Sequence, residues 1–154
     1  MKQTGNRKAF LDMIATSEGT AHLGDNGYNV LVGGTIFEGY ADHPRKLVTL
    51  NSKGLKSTAA GRYQLLARYF DHYKALLKLQ DFGPDSQDAI AIQQIRECRA
   101  LDEIDAGHLD RAIRKCKNIW ASFPGAGYGQ HEQKLADLGN AYVKAGGTVN
   151  IEVA

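Results

Sequence analysis

Glu18 is the residue most suggestive of chemistry in this 154-residue chain, a carboxylate in the run Ser17-Glu18-Gly19-Thr20. An apolar pattern with helical spacing stops there, and a glycine-rich, aromatic segment begins. A carboxylate at the C-terminal end of a helix meets the negative pole of the helix dipole, and apolar neighbours further disfavour its charged form. Both effects raise its pKa, and a carboxyl that keeps its proton near neutral pH can act as a general acid. The same four residues also fit a solvated glutamate in a last helical turn, because most surface carboxylates do no chemistry.

Three further segments suit a sugar-binding cleft. Ala59-Ala60-Gly61-Arg62-Tyr63-Gln64 offers small residues that let a ligand approach the backbone, then an aromatic ring and an amide. Ser122-Phe123-Pro124-Gly125-Ala126-Gly127-Tyr128 is a stiff-then-flexible loop with aromatic residues, and Asp85-Ser86-Gln87-Asp88 places polar groups at a helix start. Each has a plain structural alternative: Ser86 as a cap, Tyr63 as core, and the glycine loop as a connection. His22, His43, His72, His108 and His131 show no metal-ligand spacing, and Cys98 and Cys116 lack a CxxC pattern. No metal or cofactor is expected, and the cysteines read as buried thiols rather than a disulfide framework.

The elements that must position these groups follow from periodicity. Asn6 is placed to cap a first helix with Phe10, Leu11, Met13 and Ile14 inward, ending near Glu18-Gly19. Two β-rich runs between Gly27 and Tyr40 meet at Gly33-Gly34, a hairpin signal, and Pro44 is placed to begin a brief helix. Helical spacing resumes from about Gly61 to Leu79, and Gly83-Pro84-Asp85 opens another helix with Ile90, Ala91, Ile95 and Cys98 inward. Short helices are expected around Leu101–Ile104, Asp110–Ile113 and Asn118–Trp120, then a last one from Glu132 to Ala145, stopped by Gly146-Gly147 before a β-prone tail. The predicted class is α+β, mostly α. A helical lobe and a small antiparallel β-hairpin lobe would flank a cleft, within a single domain over residues 1–154.

A hydrophobic fraction of 43% with only three prolines describes a globular chain long enough to bury a core. A net charge of +2 is too small for a dedicated nucleic-acid binder. No signal-peptide pattern and no membrane-spanning run is visible, so synthesis as a soluble cytoplasmic chain without stable membrane association is expected. Arg45 and Lys46 are candidates for concentrating the protein on an anionic surface.

Taken in order, the motifs resemble the lambda-type phage endolysins. The resemblance is carried by Lys8-Ala9-Phe10-Leu11-Asp12-Met13 before Ser17-Glu18-Gly19-Thr20, then Val32-Gly33-Gly34 and the run from Asp42 to Asn51. Gly61-Arg62-Tyr63-Gln64-Leu65-Leu66, Ser86-Gln87-Asp88-Ala89, Asn118-Ile119-Trp120-Ala121-Ser122 and Pro124-Gly125-Ala126-Gly127-Tyr128-Gly129 continue it, so that it spans about Arg7 to Thr148. It implies a lysozyme-like fold and a lytic transglycosylase that cuts the β-1,4 bond between N-acetylmuramic acid and N-acetylglucosamine. Glu18 falls on the family's catalytic glutamate. Substrate contacts are expected from Tyr28, His43, Gly61, Arg62, Tyr63, Gln64, Phe123, Gly125, Gly127 and Tyr128. The segment between Glu18 and Tyr28 is shorter than in the lambda-type pattern, Asn26 replaces a histidine, and His131 replaces an aromatic residue. Peptidoglycan glycan strands are the implied partner, a monomer is expected, and a holin-type pore is expected to release the protein from the host cytoplasm to the periplasmic wall.

In the transglycosylase reading, Glu18 protonates the leaving oxygen and then deprotonates the muramic acid C6 hydroxyl, giving a 1,6-anhydro product. The alternatives are a hydrolytic lysozyme using Asp25, Glu38 or Asp42 as second carboxylate, and a non-catalytic glycan-binding module.

Overall fold

The helix carrying Glu18 forms as its spacing predicts. In the computed structural model, which describes residues 4–127 and 131–150, α1 spans Gly5–Glu18 and buries Ala9, Phe10, Leu11, Met13 and Ile14. Its cap differs from expectation. The Thr4 hydroxyl accepts the Arg7 N–H at 3.2 Å, whereas Asn6 lies inside the first turn, where its amide donates to Ile104 O at 3.0 Å and its Oδ1 accepts the Thr148 N–H at 3.0 Å. Gly19, at φ +77°, takes the left-handed conformation that ends the helix.

The chain divides into two compact units, Met1–Glu18 with Ala91–Ala154, and Gly19–Ile90. In the first unit, α1 packs on α6 (Leu135–Lys144) and α4 (Leu101–Asp105), and α4 packs on α5 (Leu109–Cys116). Phe10 meets Phe123 edge-on at 6.3 Å, and Phe123 lies 5.8 Å from Trp120, all three fully buried. Asn118–Trp120, expected as a helix, is a turn closed by Trp120 N–H on Cys116 O at 3.2 Å. The last helix begins at Leu135 rather than Glu132 because the Gln133 N–H is taken by Ser122 O at 2.7 Å. Gly146, at φ +98°, follows its end. In place of a strand after it, Thr148 bonds Asn6 and the Asn150 N–H bonds Gly107 O; the rest of the expected β-prone tail, residues 151–154, lies outside the described residues. The cysteines are free thiols, Cys116 buried and Cys98, against expectation, partly exposed.

In the second unit, Gly33-Gly34 does reverse the chain, with Leu31 N–H on Thr35 O at 2.6 Å, but Val30 opposite Ile36 is a lone antiparallel bridge. Leu31 pairs onward with Ala60 instead, so no regular hairpin grows there. The antiparallel sheet lies later, β1 (Val48–Thr49) against β2 (Lys56–Ser57), with Val48 opposite Ser57 and Thr49 opposite Lys56. Its turn is shaped by Asn51, whose side chain accepts the N–H groups of Lys53 and Leu55. Pro44 lies outside any helix or strand and starts no helix. Helix α2 (Ala67–Leu77) begins later than the periodicity suggests, because Gly61 at φ +85° and Gln64 at φ +57° are left-handed and Ala60 bridges Leu65. Asp81 accepts from the Gly83 N–H and from the Ser86 hydroxyl, which fixes the start of α3 (Pro84–Glu97). Leu31, Phe37, Leu65, Phe70, Tyr73, Phe82 and Ile90 form this unit's core.

The described residues form a mostly helical α+β fold with one small antiparallel sheet among them. Among the described residues no helix is long and apolar enough to cross a membrane. Phe10→Ala removes a fully buried ring from the packing that supports Phe123. It is expected to lower unfolding free energy by about 3–5 kcal/mol in urea denaturation without changing the slope of the transition.

Candidate active site

Glu18 ends α1 partly exposed, reachable by a ligand yet closely surrounded by protein. Burial dominates its electrostatics and pushes the carboxyl up to about 7, while a hydrogen bond with Ser122 pulls in the opposite direction by favouring the charged form. The Ser122 hydroxyl also lies 2.7 Å from the Ser17 hydroxyl, and both serines are buried. Gln133 holds both residues. Its backbone N–H donates to Ser122 O at 2.7 Å and its side-chain amide to Ser17 O at 3.2 Å.

The adjacent glycine loop is fixed from the same segment. Glu132 accepts the N–H groups of Gly125 at 2.9 Å and Gly127 at 3.0 Å, which lowers its pKa. These glycines are therefore held in place by a carboxylate rather than left mobile. Phe123, expected to touch substrate, is fully buried and serves as core beside Phe10 and Trp120. Tyr128 lies outside the described residues.

The remaining predicted contacts lie in the Gly19–Ile90 unit, where several turn out to hold one another. The Tyr63 hydroxyl donates to Asp88 at 2.6 Å and the Tyr28 hydroxyl to the same oxygen at 2.9 Å, with the rings edge-on at 6.4 Å. Burial, then the Asp88 charge, pushes Tyr28 up to about 12. The Arg62 guanidinium lies over both rings at 5.4 and 5.6 Å and donates to Asn26 O at 2.9 Å. Tyr63 is 5% exposed and so is a buried support, not a platform for sugar. A Cβ on Gly61 would meet Phe82 at 2.9 Å, so this glycine makes room for packing rather than for ligand. Gln64 donates its amide to Gly61 O at 2.9 Å and Val30 O at 3.3 Å, leaving its side-chain carbonyl oxygen without a partner among the described residues.

His43 is also a structural residue, 2% exposed, with Nε2–H donating to Leu65 O at 2.8 Å and Nδ1 accepting the Arg45 N–H at 2.9 Å. Burial lowers its pKa, so it stays neutral rather than tuning a cleft with pH. The Arg45 guanidinium is committed to Asp42 at 2.9 Å and Asp71 at 2.5 Å, which compensates its charge locally. No group of three or more potential metal ligands occurs among the described residues.

The polar start of α3 was visible in the sequence, but its use is internal. The Gln87 carbonyl oxygen accepts the Arg62 N–H at 2.9 Å and its amide donates to Tyr28 O at 3.0 Å. Glu132 and Gln133 escaped sequence reasoning altogether. They look like the first turn of a helix, and only a loop spaced to return to Ser122 would have exposed them.

An endolysin family model matches residues 8–149. The endolysin of Escherichia phage lambda is 59% identical over 147 residues, covering 93% of this chain and 92% of its own. The endolysin of Escherichia phage P2 is 51% identical, with 92% and 93% covered. Bacteriophage lambda lysozyme solved with a chitohexasaccharide superposes at a TM-score of 0.94 with 56% identity, over 97% of this chain and 99% of that one. Another structure of lysozyme from bacteriophage lambda superposes at 0.89.

A carboxyl raised in the folded state makes stability depend on pH in a definite direction. Between the ordinary glutamate value and about 7, the folded chain retains a proton at Glu18 that the unfolded chain has released, so stability falls as pH rises through that window. Glu18→Gln removes the penalty. The variant is expected to exceed the parent by up to about 3 kcal/mol in urea denaturation at pH 8 and to match it near pH 4.

Proposed function

The chain belongs to the endolysin family, and we propose that, as a peptidoglycan-cleaving member, it works as a lytic transglycosylase with Glu18 as both acid and base. The observation that carries this reading is a carboxyl whose pKa is lifted to about 7 by burial, with no charged neighbour contributing among the described residues. Such a group gives up a proton and takes one back at nearly equal cost at neutral pH. Its place at the C-terminal end of α1 adds a dipole that works in the same direction.

Protonated Glu18 donates to the glycosidic oxygen between N-acetylmuramic acid and N-acetylglucosamine as the C1–O bond breaks. The carboxylate then takes the proton of the muramic acid C6 hydroxyl while that oxygen bonds to C1. The balance is one glycosidic bond broken, one intramolecular C–O bond formed, and Glu18 returned to its acid form. Proximity within the sugar replaces an activated water.

A hydrolytic course needs a second carboxylate for water or for C1. The candidates have other roles in their own unit. Asp42 is ion-paired to Arg45, Asp25 accepts the Tyr40 hydroxyl at 2.7 Å, and Glu38 is an exposed loop residue. Their state supports the one-carboxylate reading. Sugar contacts from the Gly125 and Gly127 loop, action as a monomer, and release through a holin-type pore to the periplasmic wall belong to the same proposal.

Glu18→Gln keeps the side chain's shape and loses its exchangeable proton. On purified peptidoglycan, turnover is expected to fall by about a hundredfold or more with the circular dichroism spectrum unchanged. The parent protein is expected to release 1,6-anhydro ends without new reducing ends. Undiminished lysis by the folded variant, or stoichiometric reducing ends from the parent, would overturn the proposal.

A further inference from the structure

Ser17 and Ser122 are 4% and 9% exposed, and their hydroxyl oxygens are 2.7 Å apart. Each hydroxyl carries one proton, so the pair must settle on a direction. Ser122 is also hydrogen-bonded to Glu18, and an ionised carboxylate can only accept. With Glu18 ionised, the Ser122 proton therefore points to Glu18, its oxygen accepts from Ser17, and the chain runs one way, Ser17 to Ser122 to Glu18.

The backbone under this chain is clamped at both serines by Gln133, through its N–H on Ser122 O and its side-chain amide on Ser17 O. Neighbouring Glu132 ties the same segment to the Gly125 and Gly127 amides. Two buried hydroxyls, a carboxyl and a clamping amide thus form one network in which Ser122 takes part in three of the four bonds. A carboxylic acid has two oxygens but carries one proton. A donor fixed on one oxygen leaves the other to bear the proton and face the substrate.

We propose that Ser122 is the positioning residue of Glu18, selecting the carboxyl oxygen that carries the transferable proton, with Ser17 and Gln133 holding Ser122 in place. The proposal rests on Glu18 acting as the acid. Among the described residues, the titratable groups on the surrounding elements are Asp12 on α1 and His131, Glu132 and Lys134 on the Gln133 segment, while burial raises the Glu18 carboxyl and Ser122 lowers it.

The test combines the pH profile of turnover on peptidoglycan with carbon NMR titration of Glu18 in glutamate-labelled protein. Ser122→Ala removes a donor to the charged form, so the Glu18 midpoint and the alkaline limb of activity should both move to higher pH, by about one unit. kcat should fall about tenfold with KM unchanged, and Ser122→Thr, which keeps the hydroxyl, should return the midpoint toward the parent value. Ser17→Ala leaves the Ser122 bond in place but unsupported; it should shift the midpoint in the same direction by less, and it serves if Ser122→Ala does not fold. An unmoved Glu18 midpoint in folded Ser122→Ala, or in folded Ser17→Ala where it stands in, overturns the proposal. Full activity of Glu18→Gln would remove the acid role itself, so the two failures are distinguishable.

Discussion

The constraint on which the site depends is that Glu18 must end a helix packed into a core without being sealed inside it. Phe10, Met13 and Ile14 bury α1 along its length, so the final residue is carried into a dry environment by its own helix. Desolvation then raises the carboxyl, and the Ser122 hydroxyl tempers the rise. Without the burial, Glu18 would be an ionised surface acid. Without the hydroxyl, its charged form would be harder to reach in the half of the proposed cycle that needs a base. The pKa near neutrality is the balance of these two effects.

The Gly19–Ile90 unit is organised differently, around polar groups that replace regular strands. Tyr28 and Tyr63 converge on Asp88, Arg62 spans both rings, and Gln87 ties two turns together. A sheet with two residues per strand cannot hold such loops by its ladder alone. Partly buried side-chain hydrogen bonds do so instead, because each is shielded from water enough that losing it is costly. Several residues that look like sugar contacts are committed to this internal work.

What the sequence revealed follows from how local each signal is. The apolar spacing of α1, the Gly83-Pro84 start of α3 and the Gly146 stop are set by nearby residues, and all three lie where the pattern puts them. β1 and β2 have two residues each, too few for a repeat to show, and their pairing depends on an Asn51 turn, so periodicity is blind to them. Gly61–Leu66 has helical spacing but is bent by left-handed residues and by long-range bonds to Gln87 and Val30. Glu18 was legible through its helix-end position and the motifs around it. Ser17, Ser122 and Gln133 as a network were not, since they come from distant parts of the chain.

In the proposed mechanism one glutamate does the work of two groups, with the sugar's own hydroxyl replacing water. Digestion of peptidoglycan in water enriched in heavy oxygen, followed by mass analysis of the muramyl ends, measures this directly. No solvent oxygen should enter the cleaved ends, each of which should be one water lighter than a hydrolysis product. One heavy oxygen per cleaved bond would show that water attacks C1 and would contradict the account.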